Sequence, residues 1–149
     1  MTAFYVAKAK TGHGLFASKA FKRGEKITRF TGPKLTYTQV AQMKKHANTL
    51  QVGPESYIDL QPPGVYANHS CNPNAGLRSD RWLVALKNIK KGEEVTWDYS
   101  TSITLDTVWR MKCKCGAKNC RKYVSNFGAV PEKQQKKYIK LGVVQRFLL

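Results

Sequence analysis

The chain has 149 residues, 42% of them hydrophobic and 23% charged, which suits one folded domain and excludes a disordered polyelectrolyte. Its 26 Lys and Arg against 9 Asp and Glu give a net charge of +17, and from Arg110 to Leu149 eleven basic residues face one acidic residue, Glu132. Such a surface attracts nucleic acid, or proteins that travel with it. No leader of the secretory kind opens the sequence and no apolar run approaches a membrane span, so an intracellular setting (cytoplasm, nucleus or nucleoid) is the expectation.

In chain order, Phe4–Lys10 reads as a strand, Gly12-His13-Gly14 as a break, and Leu15–Ala17 as its resumption. A turn at Lys22-Arg23-Gly24-Glu25 precedes the alternating strand Lys26–Phe30, and Gly32-Pro33 is a further turn. Thr36–His46 is expected to be a helix, capped by Thr38, with Val40, Met43 and Ala47 on one side. Thr49–Val52 and Ser56–Leu60 read as short strands, and Gln61-Pro62-Pro63-Gly64 ends regular structure. Asn68–Asn74, rich in Asn, Ser and Pro, is expected to be an irregular loop. Trp82–Leu86 and Glu94–Trp97 are strands separated by the Lys90–Glu93 turn. Pro131–Leu141 is a helix with Pro131 in its first turn and Gly142 as its stop. The result is mainly β, with short helices. The apolar end, Gly142–Leu149, either docks on the body or meets another chain.

Two stretches carry chemistry. Cys113, Cys115 and Cys120 sit on one tight loop with Gly116 to turn it, and clustered thiols in a reducing compartment are metal ligands. Zinc takes four, and the one other cysteine is Cys71, so the simplest closed site is Cys71, Cys113, Cys115 and Cys120. That site would tie the late chain to Asn68–Asn74, a run dense in hydrogen-bonding side chains. Gly12-His13-Gly14 lets backbone approach a ligand, but without the third glycine and following helix of a dinucleotide site. Asp98 alternates away from Tyr99 if both lie on a strand, so no catalytic role is assigned to it.

Taken in order, Gly12-His13-Gly14-Leu15-Phe16, Asn68-His69-Ser70-Cys71-Asn72-Pro73-Asn74, Gly92-Glu93-Glu94-Val95-Thr96-Trp97-Asp98-Tyr99 and the cysteine loop resemble the motifs of SET-domain protein-lysine methyltransferases with a post-SET zinc loop, of the compact stand-alone type. The resemblance runs over about residues 4–123. It implies a SET fold, with small β-clip-like sheets and a threaded C-terminal pseudoknot. It also implies a SET domain at 1–105, a post-SET zinc segment at 106–123 and a helical tail at 124–149. The implied activity is methyl transfer from S-adenosylmethionine to a lysine of a protein, such as a histone or another nucleic-acid-associated protein. Gly12, His13, Gly14 and Leu15 would hold the methionine part of the cofactor. Asn68 and His69 would meet its ammonium and adenine, and Trp109 would either stack on the adenine or serve plain packing. Tyr99 matches the active-site tyrosine and also touches cofactor. Phe30, Tyr66 and Trp97 would line the lysine channel.

The chain departs from the family pattern in three places. Phe30 stands where a tyrosine is frequent, Val65-Tyr66 replaces an Arg-Phe pair, and Trp97 occupies a Phe/Tyr position that governs how many methyls are added, which leaves product number open. The rival readings are a non-catalytic cofactor- or peptide-binding module of the same fold, and a small basic zinc-dependent nucleic-acid binder.

Overall fold

The computed structural model describes residues 2–44, 48–105 and 109–149. Twelve short strands form four small sheets among these residues. The first has the order β1-β2-β10-β7, from β1 (Phe4–Lys8), β2 (His13–Ala17), β10 (Glu94–Trp97) and β7 (Asn68–His69). β3 (Lys26–Arg29), β9 (Trp82–Ala85) and β8 (Ala75–Leu77) form the second; β4 (Lys34–Thr36), β6 (Ser56–Asp59) and β5 (Thr49–Gln51) form the third. β11 (Met111–Lys112) pairs with β12 (Tyr123–Val124) beside the cysteine loop. No described helix is long and apolar enough to cross a membrane.

Several expectations need correction. The break expected at Gly12-His13-Gly14 lies at residues 9–12 instead. Gly12, at φ +70°, closes a hairpin in which the Ala9 amide donates to the Gly12 carbonyl (2.7 Å), and His13 and Gly14 already lie in β2 opposite Lys8 and Ala7. The first helix, α1, is only Tyr37–Gln42, and its cap is Thr36 rather than Thr38. Gln39 explains the shift: the Thr36 hydroxyl accepts from the Gln39 amide (3.1 Å) while the Thr36 amide donates to the Gln39 side chain (2.8 Å). Met43 ends the helix in extended conformation, and His46 and Ala47 lie outside the described residues. Asn68–Asn74 is not wholly irregular, because Asn68 and His69 pair in parallel with Thr96 and Trp97 of β10.

That parallel pair is the architectural centre. It sets a mid-chain loop beside a late strand, and Asn74 locks the other end by donating to the Glu94 carbonyl (2.8 Å) and accepting from the Thr96 amide (2.9 Å). After β10 the chain turns through buried Ser100, Thr101 and Ser102. The main core fills the space between the sheets with Leu15, Phe21, Phe30, Ile58, Leu83, Ile89 and Val95.

The tail docks on the body. α2 (Glu132–Lys140) buries Tyr138, and Gly142 stops it at φ +71°. Val143 lies against Gly76 of β8 so closely that a Cβ there would meet its side chain at 2.7 Å. Gln145, 2% exposed, donates to the Leu77 carbonyl (3.0 Å), and its amide donates to the Thr101 carbonyl (3.1 Å). Val84, Phe127, Val130, Val143 and Val144 make a second apolar cluster that the tail completes.

Candidate functional site

Sheet order brings the motifs together. β2 carries His13 and Gly14, β10 leads into Tyr99, and β7 carries Asn68 and His69, in neighbouring positions of one sheet. The Asn68 side-chain amide donates to the His13 carbonyl (2.8 Å) and to Glu94 Oε2 (2.9 Å), clamping all three strands. Gly14 is required there: a Cβ would sit 2.5 Å from Glu94 Oε2 and 2.9 Å from Ala9 Cβ. β7 has β10 as its one strand partner among the described residues, so the other edge of Asn68–His69 is unladdered backbone.

The His69 imidazole points inward, and its neighbours fix its tautomer. Nδ1 accepts from the Tyr99 amide (3.1 Å), which leaves the proton on Nε2, 3.3 Å from Cys71 Sγ. Burial, aided by the charge of Arg121 and opposed by Asp98, holds His69 down at about 4, so the ring is neutral. The 3.6 Å approach of Nδ1 to Asp98 Oδ1 is therefore neither an ion pair nor a hydrogen bond. Both ring nitrogens of His69 are thus engaged inside the fold.

Tyr99 donates from its hydroxyl to the Ala67 carbonyl (3.1 Å), which also accepts from the Trp97 indole (3.1 Å). Its ring lies 4.9 Å from Trp97 and 5.3 Å from His69, and Trp97 meets Phe30 edge-on at 5.6 Å. Burial and then the negative charge of Glu94 push the Tyr99 phenol up to about 12. Phe30 and Trp97 belong to the core and support Tyr99 from behind, whereas Tyr66 is half-buried, its ring 6.4 Å from His13. Trp109, 38% exposed, adjoins residues 106–108, which lie outside the described ones.

The Sγ atoms of Cys71, Cys113, Cys115 and Cys120 lie within 4.8 Å of one another, close enough to hold a metal ion. Tetrahedral zinc–thiolate bonds of about 2.3 Å separate sulfurs by roughly 3.8 Å, and Cys71 and Cys113 stand 3.8 Å apart. Asn119 donates to the Cys71 carbonyl (3.0 Å) and the Arg121 amide approaches Cys71 Sγ (3.4 Å), so loop and mid-chain segment are joined by protein contacts as well.

The SET domain model matches residues 12–100 of this chain. The chain belongs to the SET domain family. It is 30% identical over 138 residues to the variant-silencing SET domain-containing protein of Plasmodium falciparum, an alignment covering 76% of this chain and 5% of that protein. It is 29% identical over 131 residues to human histone-lysine N-methyltransferase 2B, covering 76% of this chain and 5% of the relative. The solved structure of KRYPTONITE in complex with mCHG DNA and SAH superposes with a TM-score of 0.65 at 26% identity, over 81% of this chain and 28% of that one. The chain thus spans a small fraction of these relatives.

This SET domain has site residues that sequence reasoning passed over. Glu94 supplies a carboxylate beside Asn68 and Tyr99; the Glu93-Glu94 pair after a turn glycine was its only signal. Asp98 is a buried hub. Arg121 donates to both of its oxygens (2.8 and 2.9 Å), Tyr138 of α2 to Oδ2 (3.0 Å) and the Ser100 amide to Oδ1 (3.1 Å). Three separate stretches of chain meet at that carboxylate, a convergence that no local pattern announces.

Proposed function

We propose that this chain is a protein-lysine N-methyltransferase that takes its methyl group from S-adenosylmethionine, with a histone or another nucleic-acid-associated protein as substrate. The carrying observation is the adjacency of β2, β10 and β7, which sets His13 and Gly14, Asn68-His69 and Tyr99 around one edge of one sheet.

The cofactor suits this edge chemically. The unladdered backbone of Asn68 and His69 offers both a donor and an acceptor to an adenine, and Glu94 adds negative charge where an ammonium and a sulfonium would sit. Gly12, Gly14 and Leu15 would shape the backbone beside the methionine part, and Trp109 would cover the adenine. S-adenosylmethionine supplies an electrophilic methyl on positive sulfur. The residues must then align a neutral amine and exclude water. Tyr99, its phenol near 12, stays protonated and works as a fixed dipole rather than a base. The aromatic surroundings of Tyr66, Trp97 and Tyr99 disfavour a charged lysine and lower its pKa.

Cys71, Cys113, Cys115 and Cys120 would hold one zinc ion. It would fix residues 106–123 over the Asn68–Cys71 segment and so close the site, with 1–105 as the SET domain proper and 124–149 as a supporting tail. His69 Nε2, facing Cys71 Sγ, is placed to donate to that thiolate as an outer partner.

The test is incubation of the purified protein with isotopically labelled S-adenosylmethionine and a mixture of core histones, read by mass spectrometry of the digested products. Labelled methyl on lysine that vanishes with Tyr99→Phe supports the proposal. Calorimetric cofactor binding without any transfer, to histones or to cell lysate, would instead favour a non-catalytic module.

A further inference from the structure

Beyond the transfer site, the tail helix and the cysteine loop enclose an open groove of about 630 Å³. Its lining includes Arg121 and Asn119 from the loop and Lys133, Lys136, Lys137 and Lys140 from α2, with no acidic side chain among the lining residues. All four lysines are exposed. We infer that this groove docks the phosphate backbone of a nucleic acid.

Helix periodicity gives the first argument. Lys133, Lys137 and Lys140 stand at i, i+4 and i+7, so they share one side of α2 and form a row about 10 Å long. Four consecutive phosphates of one strand span about that distance along the duplex axis, at roughly 3.4 Å per step. The row is uncommitted, since the helix's single acidic residue, Glu132, pairs with Lys136 (2.9 Å) on an exposed surface. Tyr138 holds the row in place by anchoring the helix inward on Asp98.

The type of cation gives the second. Carboxylates and phosphates both accept a two-pronged guanidinium, while lysine serves phosphate as a point charge. The one guanidinium in this groove is already committed to Asp98 on both prongs. What faces outward is a line of ammonium point charges on flexible stems. These suit a regular, diffuse array of phosphodiester charge better than the irregular carboxylates of an acidic peptide. The net charge of +17 would draw any polyanion to the protein; the groove says where it would settle.

Docking is measured without cofactor, so it stands or falls separately from the methyltransferase reading. Fluorescence anisotropy would follow a labelled duplex DNA of about two helical turns across a salt series. Two variants of equal charge change are compared: Lys133→Glu/Lys137→Glu/Lys140→Glu in the groove, and Lys22→Glu/Lys34→Glu/Lys91→Glu outside it. Matching melting curves establish that each is folded. The groove variant is expected to lose at least about tenfold in affinity at moderate salt, and its plot of log affinity against log salt should flatten by about 2 to 3. The other variant should lose far less. Equal losses in both would mean general charge attraction and would overturn the inference. So would undetectable binding by the wild type at low salt, or a groove variant that loses a poly-glutamate peptide while keeping the DNA.

Discussion

Arg121 holds both carboxylate oxygens of Asp98, at 2.8 and 2.9 Å, and so joins the residue after the last cysteine to the residue before Tyr99. The Asp98 side chain is 1% exposed and that of Arg121 12%. A carboxylate that deep is tolerable only with its charge met. Asp98 anchors the turn on which Tyr99 sits and the loop that carries three cysteines.

Arg121→Met would strand that buried charge. Breaking one side of a buried pair costs about 3–5 kcal/mol. The expected outcome is a loss of that order in urea unfolding, with Asp98→Asn/Arg121→Met recovering part of it. If the double variant unfolds like Arg121→Met, the loss does not come from an unpaired Asp98 charge.

Tyr99→Phe should separate chemistry from folding. The Ala67 carbonyl keeps the Trp97 indole as its donor, so the stability cost stays near 1 kcal/mol. Turnover should fall about a hundredfold through lost alignment. Steady-state rates and a thermal melt on the same preparation check both halves.

Cys115→Ser removes one of four sulfurs in a site that a single metal would close. Native mass spectrometry should show the wild type carrying one zinc ion and the variant none. The variant's residues around the cysteine loop should exchange amide hydrogens faster, because metal binding there also stabilises the fold.

Alkali offers a test of the hub. Burial, and then the charge of Asp98, raise the Tyr138 phenol well above its ordinary value, and Tyr99 is pushed up to about 12. Below the ordinary phenol range, near pH 10, both are protonated in the folded and unfolded states alike. Above it the unfolded chain sheds protons that the folded one retains, so the unfolded state binds fewer and stability falls as pH rises. Tyr138→Phe should therefore be less stable than the wild type at neutral pH, by about 2 kcal/mol since its hydroxyl donates to a carboxylate, yet lose less between pH 9 and 11.5. Parallel melting-temperature curves would contradict this.

The sequence made legible what short-range chemistry encodes. The close spacing of Cys113, Cys115 and Cys120 led to a fourth partner, and all four sulfurs do converge. Alternation found the longer strands, and Gly142 marked the helix stop. What stayed hidden depends on partners far along the chain. β4, β7, β8, β11 and β12 are two or three residues each and exist because a distant strand supplies hydrogen bonds, not because their own sequence alternates. Thr36 rather than Thr38 caps α1 because Gln39 completes a reciprocal pair, a contest between two plausible threonines that turned on one glutamine. Asp98 and Tyr99 read as neighbours on one strand, but β10 ends at Trp97 and Asp98 caps the turn that Tyr99 opens; nothing near Asp98 foretold Arg121 or Tyr138, some twenty and forty residues on.

The parallel pairing of Asn68-His69 with Thr96-Trp97 also has a consequence for biosynthesis. As the chain leaves a ribosome, the first half of the molecule can collapse early, but this ladder must wait for residue 97 and the grip on Asp98 for residues 121 and 138. Contacts so distant along the chain make for slow maturation. The sheet edge that gathers Asn68, His69 and Tyr99 is thus among the last parts of the protein to come into being, and a truncated translation product would lack the side chains that hold it in order.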